Sequence, residues 1–209
     1  MTDPPTAPTG PVGYPKGAAR RQAIVEVATE FFGRVGYRGA TMLQIAATCQ
    51  ISRAGLLHHF PTKESLLEAV LAHRDEVDHR RTRAITDASD DGLAALANLV
   101  AAAERNATTP AIINLFAVLS AEAGDPSHPA HSYFVRRYDR SRTSIARAFQ
   151  LAQDRGHLRP GLEPRALATE VVALMDGLQV QWLLAPDQID MAALLRQRIE
   201  SVLTVSLPS

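Results

Sequence analysis

The chain has 209 residues, of which 46% are hydrophobic and 21% charged, so it is long enough for one large or two small domains with a real core. No apolar run approaches the roughly 18 residues that a membrane-spanning helix needs, and the N-terminus lacks the charged-then-apolar pattern of a secretion signal. The single cysteine excludes an intrachain disulfide and a zinc site built from several thiolates. These features predict a cytoplasmic protein without a membrane segment.

The net charge is zero, but the charge is unevenly distributed along the chain. The segment from Lys16 to Lys63 contains seven basic and two acidic residues, which gives it a net charge of +5 and leaves −5 on the remainder. A basic module joined to an acidic body is the distribution expected of a DNA-binding protein with a separate second function.

Residues 1–15 contain five prolines with threonine and glycine, which predicts a disordered tail. Beyond them, apolar residues at helical spacing predict an all-α chain of about nine helices: a three-helix module over 16–62 and a helical second domain over 63–209. The predicted helices cover about 17–35, 41–49, 53–59, 63–88, 90–106, 110–123, 128–155, 164–184 and 191–206.

The stretch 41–63 predicts two short helices joined by a tight turn. Thr41 and Gln44 have the spacing of a capping box, and Ser52 offers a second N-cap oxygen. The helix that follows Ser52 is too short to be stable alone, so its neighbours must hold it in place.

The apolar residues of these two helices define which faces are expected to be buried. Leu43, Ile45 and Ala46 are expected to face inward from the first helix, and Leu56 and Phe60 from the second. The outward residues of the second helix are small or basic and suit entry into a DNA major groove. They are Arg53, Ala54, Gly55, His58 and His59.

Five short motifs in this stretch resemble the helix-turn-helix of the tetracycline-repressor (TetR/AcrR) family of bacterial regulators. They are Gly39–Ala40–Thr41, Ile45–Ala46, Ile51–Ser52, His58–His59–Phe60 and Lys63–Glu64–Ser65–Leu66–Leu67. The resemblance implies that Thr41 and Lys63 contact phosphates and that residues 53–58 face bases. The full set expected at DNA is Arg20, Arg21, Thr41, Met42, Ser52, Arg53, Ala54, Gly55, Leu57, His58, His59 and Lys63.

The sequence departs from the family pattern at two positions. Gln50 occupies the turn position usually held by glycine, where a strained backbone would cost on the order of 1 kcal/mol. Leu57 replaces the common tyrosine of the recognition helix, so the hydroxyl expected to contact a phosphate is missing.

The last two predicted helices are apolar on more than one side, which predicts that they bury more than one face. One face would close the domain and the other would pair with a second copy, with Gly177 allowing close backbone approach. The region also resembles one C-terminal subtype of the family. The expected dimer contacts are Leu167, Val171, Leu174, Gly177, Leu178, Trp182, Leu195, Ile199 and Leu203. The alternative is that these helices only fill the core of a monomer.

Aromatic and polar residues in the middle of the second domain indicate a small-molecule site, since such sites are mostly apolar with a few convergent polar groups. The candidate ligand contacts are Asn114, Phe116, Tyr133, Met175, Asp176 and Gln179. The alternative is that these are ordinary core or surface residues. The charged end of the fourth helix, from Arg74 to Arg83, is expected to be a solvated face.

Taken together, the sequence predicts a homodimeric regulator, most simply a repressor, that binds a palindromic DNA operator and responds to an unidentified small-molecule effector. No metal site, cofactor or catalytic constellation is expected, so the chain is not predicted to be an enzyme. Two alternatives remain: an all-α small-molecule-binding protein or enzyme without DNA function, and an activator in place of a repressor.

Overall fold

The computed structural model describes the backbone of residues 15–86 and 91–208 and the side chains of residues 17–76 and 91–208. Regular structure in these ranges is helical, apart from one isolated antiparallel bridge. The helices are α1 (Pro15–Gly39), α2 (Met42–Thr48), α3 (Arg53–His59), α4 (Lys63–Thr86), α5 (Gly92–Ala107), α6 (Pro110–Glu122), α7 (His131–Asp154), α8 (Pro164–Leu184) and α9 (Met191–Glu200). This confirms the predicted all-α class.

Three sequence predictions reach beyond the described residues. They are the tail up to residue 14, the first of the two predicted starts of the fifth helix (Asp90 or Asp91) and the last part of the fourth predicted helix, residues 87–88. In the described part of the chain, no helix is long and apolar enough to cross a membrane.

Short polar side chains begin several of the helices. The carboxylates of Asp91 and Asp190 accept backbone N–H groups at the starts of α5 and α9, and thereby satisfy donors that a helix leaves unpaired. The pair Thr109–Pro110 predicts an N-cap followed by proline at the first helical position, but the Thr109 side chain makes no capping hydrogen bond. Pro110 at the first turn still explains why α6 begins there, because proline lacks the N–H that a helix start cannot use.

Two predicted helix ends are wrong. The seventh helix begins at His131 rather than at 128, and the residue before Pro129 is disfavoured from helical geometry. The ninth helix ends at Glu200 rather than at 206. Beyond it the chain folds back, and Leu203 forms an antiparallel bridge with Leu158, which buries both side chains without a helix.

The first hydrophobic core joins α1–α4 to α6 and the start of α7. Phe32 of α1 and Leu66 of α4 are fully buried in it together with Leu115 and Leu119 of α6. At Gly33 the helices α1 and α6 approach so closely that a Cβ atom would lie 3.1 Å from the backbone nitrogen of Leu115. The helix-turn-helix region therefore shares its core with the second domain.

The second core fills the space between α5, α7, α8 and α9. Its centre is formed by Leu96, Phe149, Ala168, Leu195 and Ile199, each no more than 1% exposed. This bundle holds α5, α7 and α8 at fixed positions around the cavity described below.

Helix α1 is interrupted at Gly36, directly after residue 35, where the sequence predicts the helix to end. Gly36 has a φ of 74°, a left-handed conformation that favours glycine, and its Cβ position would lie 2.3 Å from a carboxylate oxygen of Glu122. The same carboxylate accepts the N–H of Tyr37 at 2.7 Å. Arg38 forms an ion pair with Asp125, so the end of α1 is attached to the end of α6 at two successive residues.

His128 completes this junction from the loop before α7. Its side chain is buried against the Tyr37 ring, with the ring centroids 5.1 Å apart. The N–H of Ala130 donates to Nδ1, so the neutral ring carries its proton on Nε2, which lies 3.4 Å from Glu122. Burial lowers the pKa of His128, although the carboxylate of Glu122 acts in the opposite direction. The neutral imidazole is therefore the form that the junction holds.

Replacing Gly36 by alanine should destabilise the protein by about 3 kcal/mol or more, because it adds left-handed backbone strain and displaces the hydrogen-bonded Glu122 carboxylate. Gly161→Ala is the matched control, since Gly161 has a φ of 80° with open space around its Cβ position. Urea unfolding of both variants should show a loss of about 1–2 kcal/mol for Gly161→Ala. Equal losses for the two variants would show that the contact with Glu122 contributes nothing.

Candidate DNA-binding and ligand-binding sites

The helix-turn-helix begins at the capping box predicted for Thr41. The Thr41 hydroxyl oxygen accepts the N–H of Gln44 at 3.3 Å, and the Gln44 side-chain oxygen accepts the N–H of Thr41 at 3.1 Å. The Thr41 hydroxyl also donates to that oxygen at 2.7 Å. Ser52 caps α3 by accepting the N–H of Gly55 at 3.0 Å. Both helices of the motif are therefore fixed at their N-terminal ends by residues within it.

The turn between α2 and α3 has the hydrogen bonds of a Schellman motif. The N–H of Gln50 donates to the carbonyl of Ala47 and the N–H of Ile51 to the carbonyl of Ala46, both at 3.0 Å. Gln50 has a φ of 54° and is the one non-glycine residue with positive φ in the described chain. The strained backbone predicted at this position is confirmed.

The buried and exposed faces of the motif follow the predictions with one exception. Ile45, Ala46, Leu56 and Phe60 are at most 1% exposed. Leu43 was expected to face inward but is 65% exposed. It lies two residues before Ile45, about 200° around the helix, so both side chains cannot face the same core.

The N-terminal half of α3 presents Arg53 and Ala54 to solvent, and His58 is exposed one turn later. Gly55, Leu57 and His59 are half-buried. The exposed surface is therefore formed by small and basic side chains, which permits close approach of the α3 backbone to another molecule.

Two cations hold the helix-turn-helix against its neighbours: Arg21 connects α1 to the end of α3, and Lys63 connects α4 to the α1–α2 connection. The guanidinium of Arg21 lies 4.5 Å from the centroid of the Phe60 ring, at the end of α3. Lys63 is half-buried, and its ammonium donates to the carbonyls of Tyr37 at 2.9 Å and Ala40 at 3.0 Å. Because an ammonium has three donors, Lys63 keeps one N–H beyond those that hold the α1–α2 connection. Of the other predicted DNA contacts, Arg20 precedes Arg21 on α1 and is exposed, and Met42 follows Thr41 and is half-buried.

A cavity of about 640 Å³ lies between α5, α6, α7 and α8, with Arg74 of α4 in its wall. This volume falls in the range of small-molecule sites. The cavity brings together four of the six predicted ligand contacts, namely Phe116, Met175, Asp176 and Gln179.

The other two predicted ligand contacts do not line the cavity. Asn114 is two residues from Phe116 and so lies on another side of α6. The hydroxyl of Tyr133 instead donates to Asp75 of α4 at 2.7 Å. All six predicted residues lie on helices that surround the cavity, but these two side chains do not line it.

The sequence prediction missed the cationic residues of the cavity. Arg74, Arg105, Arg137 and Arg140 all contribute to its lining. Arg74 was expected on a solvated face, yet it is only 5% exposed, with its guanidinium 5.6 Å from the centroid of the Phe116 ring. On α7, Arg137 and Arg140 lie beside a row of cavity residues spaced three and four apart, namely Phe134, Tyr138, Ser141 and Ile145. This helical spacing was visible in the sequence and would have placed the two arginines at the cavity.

Asp176 is the carboxylate among the residues that line the cavity, and it is paired with Tyr138. Burial raises the pKa of Asp176, while the Tyr138 hydroxyl and the charge of Arg137 partly offset this. Burial, followed by the neighbouring Asp176, raises the pKa of Tyr138 to about 12. The pair therefore combines a neutral hydroxyl with a carboxyl group that ionises less readily than an exposed one.

The predicted dimer contacts divide into two groups. Six of them are at most 5% exposed and lie inside the protomer's own core, so their side chains offer no surface to a partner. These are Leu167, Val171, Leu178, Leu195, Ile199 and Leu203. Leu174, Gly177 and Trp182 are half-buried, and Trp182 lines a separate cleft of about 740 Å³ between α5 and the α8–α9 connection.

The exposed apolar surface of α8 and α9 lies on neighbouring faces instead. Val180 is 48% exposed, Leu184 82% and Leu194 40%. A Cβ atom at Gly177 would have nothing within 4 Å, so packing inside the chain does not require glycine there. Ala173 is also exposed, one turn before Gly177. We call the surface formed by Ala173, Gly177, Val180, Leu184 and Leu194 the α8–α9 face.

The described residues contain no group of three or more His, Cys, Asp or Glu side chains that is able to hold a metal ion. Cys49 is half-buried at the end of α2, and burial raises the pKa of its thiol. This thiol therefore has little of the thiolate character that a reactive cysteine needs.

Comparison with known families identifies both parts of the chain. Residues 24–70 match the family described as bacterial regulatory proteins of the tetR family. Residues 129–204 match the C-terminal domain of BetI-type transcriptional repressors. Together the two segments span more than half of the chain.

Individual relatives are regulators of the same kind. The chain is 39% identical over 54 residues to the HTH-type transcriptional regulator RutR of Escherichia coli (strain K12), a match that spans about a quarter of each protein, 26%. It is 28% identical over 181 residues to the HTH-type transcriptional regulator BetI of Burkholderia mallei (strain NCTC 10229), which covers 85% of this chain and 88% of that regulator.

Solved structures extend the likeness to the whole fold. A transcriptional regulator from Saccharomonospora viridis, crystallised in complex with choline, has a TM-score of 0.76 and 25% sequence identity to this chain. The alignment covers 90% of this chain and 100% of the other. With its helix-turn-helix, its helical second domain and these matches, the chain belongs to the TetR family of DNA-binding transcriptional regulators and is not an enzyme.

Proposed function

We propose that this protein is a homodimeric repressor that binds a palindromic DNA operator through α3 and leaves it when a small molecule occupies the cavity between α5 and α8. One observation carries the proposal: the exposed, capped α3 lies on a module of net charge +5 whose core is continuous with the helix that lines the cavity.

The surface of α3 supports direct contact with bases. Arg53 and Ala54 open the helix and are exposed, and Gly55 removes side-chain bulk beside them. An arginine in this position can donate two hydrogen bonds to a guanine edge, which is a common specific contact in the major groove. Because Leu57 carries no hydroxyl, any phosphate contact on this side falls to His58 and His59.

The flanking residues support contact with phosphates. Arg20 and Arg21 are exposed on α1, and Arg21 is held against the end of α3 by its stacking on Phe60. Lys63 has a third N–H beyond the two that bind the carbonyls of the α1–α2 connection, and its ammonium lies 4.2 Å from the centroid of the Tyr37 ring. These cations would add sequence-independent affinity that falls steeply with salt.

The α8–α9 face supports a two-fold dimer. Gly177 costs about 1 kcal/mol relative to alanine in a helix interior. No contact inside the chain explains this cost, whereas close approach of a partner's backbone would. The face also exposes Val180, Leu184 and Leu194, which would be buried when α8 and α9 of two copies form a four-helix interface. The Arg198–Glu170 ion pair links the two helices beside it.

The position of α6 supports coupling between ligand and DNA. Phe116 and Ser120 of α6 line the cavity, while Leu115 and Leu119 pack against α1. A ligand that shifts α6 would therefore also shift α1, on which α2 and α3 rest. This path adds to a second one through α4, which begins at the helix-turn-helix and continues into the second domain. Binding of ligand and DNA would then oppose each other by linkage.

Substitution of Arg53 by alanine should reduce discrimination between operator bases by about 1–3 kcal/mol at one position in each half-site, because a bidentate base contact is lost. Arg34→Ala is the matched control, since Arg34 is an exposed arginine of the same module outside the predicted DNA contacts. The operator is first selected from a random DNA pool and its single-base variants are then titrated at one fixed salt concentration.

Unchanged preference at every operator position in Arg53→Ala would show that Arg53 does not read bases. If the selection itself enriches no sequence and binding shows no salt dependence, the chain is a small-molecule-binding protein without DNA function.

Lys63→Ala should weaken binding to all sequences about equally, and it should also lower the thermal stability because the α1–α2 connection loses two hydrogen bonds.

Substitutions in the α8–α9 face should separate dimerisation from folding. Gly177→Leu should leave the protomer as stable as before or more stable, because leucine favours helix and meets nothing within 4 Å in the chain. It should nonetheless break the dimer, as should Leu184→Arg, and operator affinity should fall with it.

Val135→Arg is the matched control for these variants, because Val135 is 54% exposed but lies on α7. Sedimentation velocity gives the oligomeric state and a thermal melt gives the stability. Dimers of unchanged affinity in both Gly177→Leu and Leu184→Arg would place the interface on another surface.

A further inference from the structure

We infer that the cavity between α5 and α8 takes an amphipathic organic anion, a carboxylate carried on an apolar body, and not a quaternary ammonium compound. This inference rests on the proposed function only in so far as the cavity is the effector site. It concerns the chemical class of the ligand, which no comparison assigns to this chain.

The charge of the cavity wall is the first reason. Arg74, Arg105, Arg137 and Arg140 line the cavity, whereas Asp176 is the acidic residue of the lining. Asp75 lies behind the wall, and its carboxylate is 3.6 Å from Arg137 and 3.3 Å from Arg140. Even with Asp75 included, positive charge exceeds negative charge among these side chains, and a partly buried site screens that excess less than water does.

The arrangement of the donors is the second reason. Asp75 already accepts a hydrogen bond from Tyr133 at 2.7 Å, so one carboxylate serves a hydroxyl and two guanidinium groups. Each guanidinium has five N–H donors in a planar fork that matches a carboxylate. The contacts with Asp75 hold the guanidinium groups of Arg137 and Arg140 at the cavity, where a ligand carboxylate would pair with their planar forks.

The remaining surface of the cavity favours an apolar body. Leu99, Ile112, Ile113, Val172 and Met175 form its aliphatic part. A volume of about 640 Å³ accommodates a chain or ring of several carbons in addition to the carboxylate. The ligand would place its charged end towards α7 and its body among these side chains.

A quaternary ammonium compound such as choline, which the Saccharomonospora viridis regulator binds in its crystal structure, fits this cavity poorly. Such cations bind over open aromatic faces. Three aromatic rings line this cavity, and the Phe116 ring already carries the guanidinium of Arg137 at 4.2 Å and that of Arg74 at 5.6 Å. Phe134 packs against Phe116 and Tyr138, with ring centroids 5.9 and 6.3 Å apart, and is itself buried. Asp176 offers little compensation, because it is hydrogen-bonded to Tyr138 and its burial favours the neutral form.

Calorimetric titration of the full-length protein without DNA tests the inference directly. The probes are octanoate and 3-phenylpropionate, their uncharged primary amides, and choline. Both acids, or one of them, should bind at least about tenfold more tightly than the matching amide, since a charged hydrogen bond contributes more than a neutral one. The two acids distinguish an aliphatic from an aromatic body, and choline should not bind.

Substitutions of the cavity arginines then test whether these side chains cause the preference for acids over amides. Arg137→Gln and Arg105→Gln should each weaken acid binding by about 10- to 100-fold and leave the amides unchanged. Arg136→Gln is the matched control, because Arg136 is an exposed arginine of α7 outside the cavity. Asp176→Asn should leave acid binding equal or tighter, since it removes the carboxylate from the lining. If Arg137→Gln fails to fold, Arg105→Gln carries the test.

Each outcome of these titrations decides the question. Equal binding of acids and amides, no acid binding below about 1 mM, or choline binding that Asp176→Asn abolishes would overturn the inference. Acid binding with the predicted variant pattern but with unchanged operator affinity would leave the inference standing and contradict the proposed release mechanism instead.

Discussion

The two functional parts are joined by the packing of α6 against α1 and, at the end of both helices, by the carboxylate of Glu122. It reaches from the end of α6 to the N–H of Tyr37 and occupies the space that a side chain at residue 36 would need. The left-handed glycine turns the chain at this point from α1 towards α2. Because the buried His128 packs against the same carboxylate and the same tyrosine, the end of α1 meets the end of α6 and the loop before α7 at one junction.

Helix α6 connects the helix-turn-helix to the cavity because it contacts both. One side of α6 packs closely on α1, where Gly33 admits it, and the other side forms part of the cavity wall. Since packed interiors respond to displacement as units, a displacement at the cavity wall and one at the helix-turn-helix both act on the packed pair of α1 and α6. The capped, strained turn at Gln50 then fixes α3 to α2, so that a displacement of α1 reaches the recognition helix without being absorbed in the turn.

Local signals in the sequence predicted most of the helices and the helix-turn-helix, because capping residues, glycine stops and helical periodicity act within a few residues. The bounds of α3 and α8 and the strain at Gln50 followed from such signals. Long-range contacts did not: Glu122, the burial of Arg74 and the bridge between Leu158 and Leu203 depend on residues far apart in sequence. The predicted dimer contacts show the same limit, since helical periodicity identifies apolar positions of α8 and α9 but not whether they fill the protomer's own core, as six of them do.

Native-state hydrogen exchange in denaturant tests most directly whether the two parts form one unit. If they do, the amides of Phe32 in α1 and Leu119 in α6 exchange through the same opening, with one free energy of opening. Glu122→Ala should lower this free energy for both amides, and Glu104→Ala should leave it unchanged. A lower opening energy for α1 to α3 alone, unaffected by Glu122→Ala, would contradict this prediction, because the helix-turn-helix would then open independently of the helix that lines the cavity.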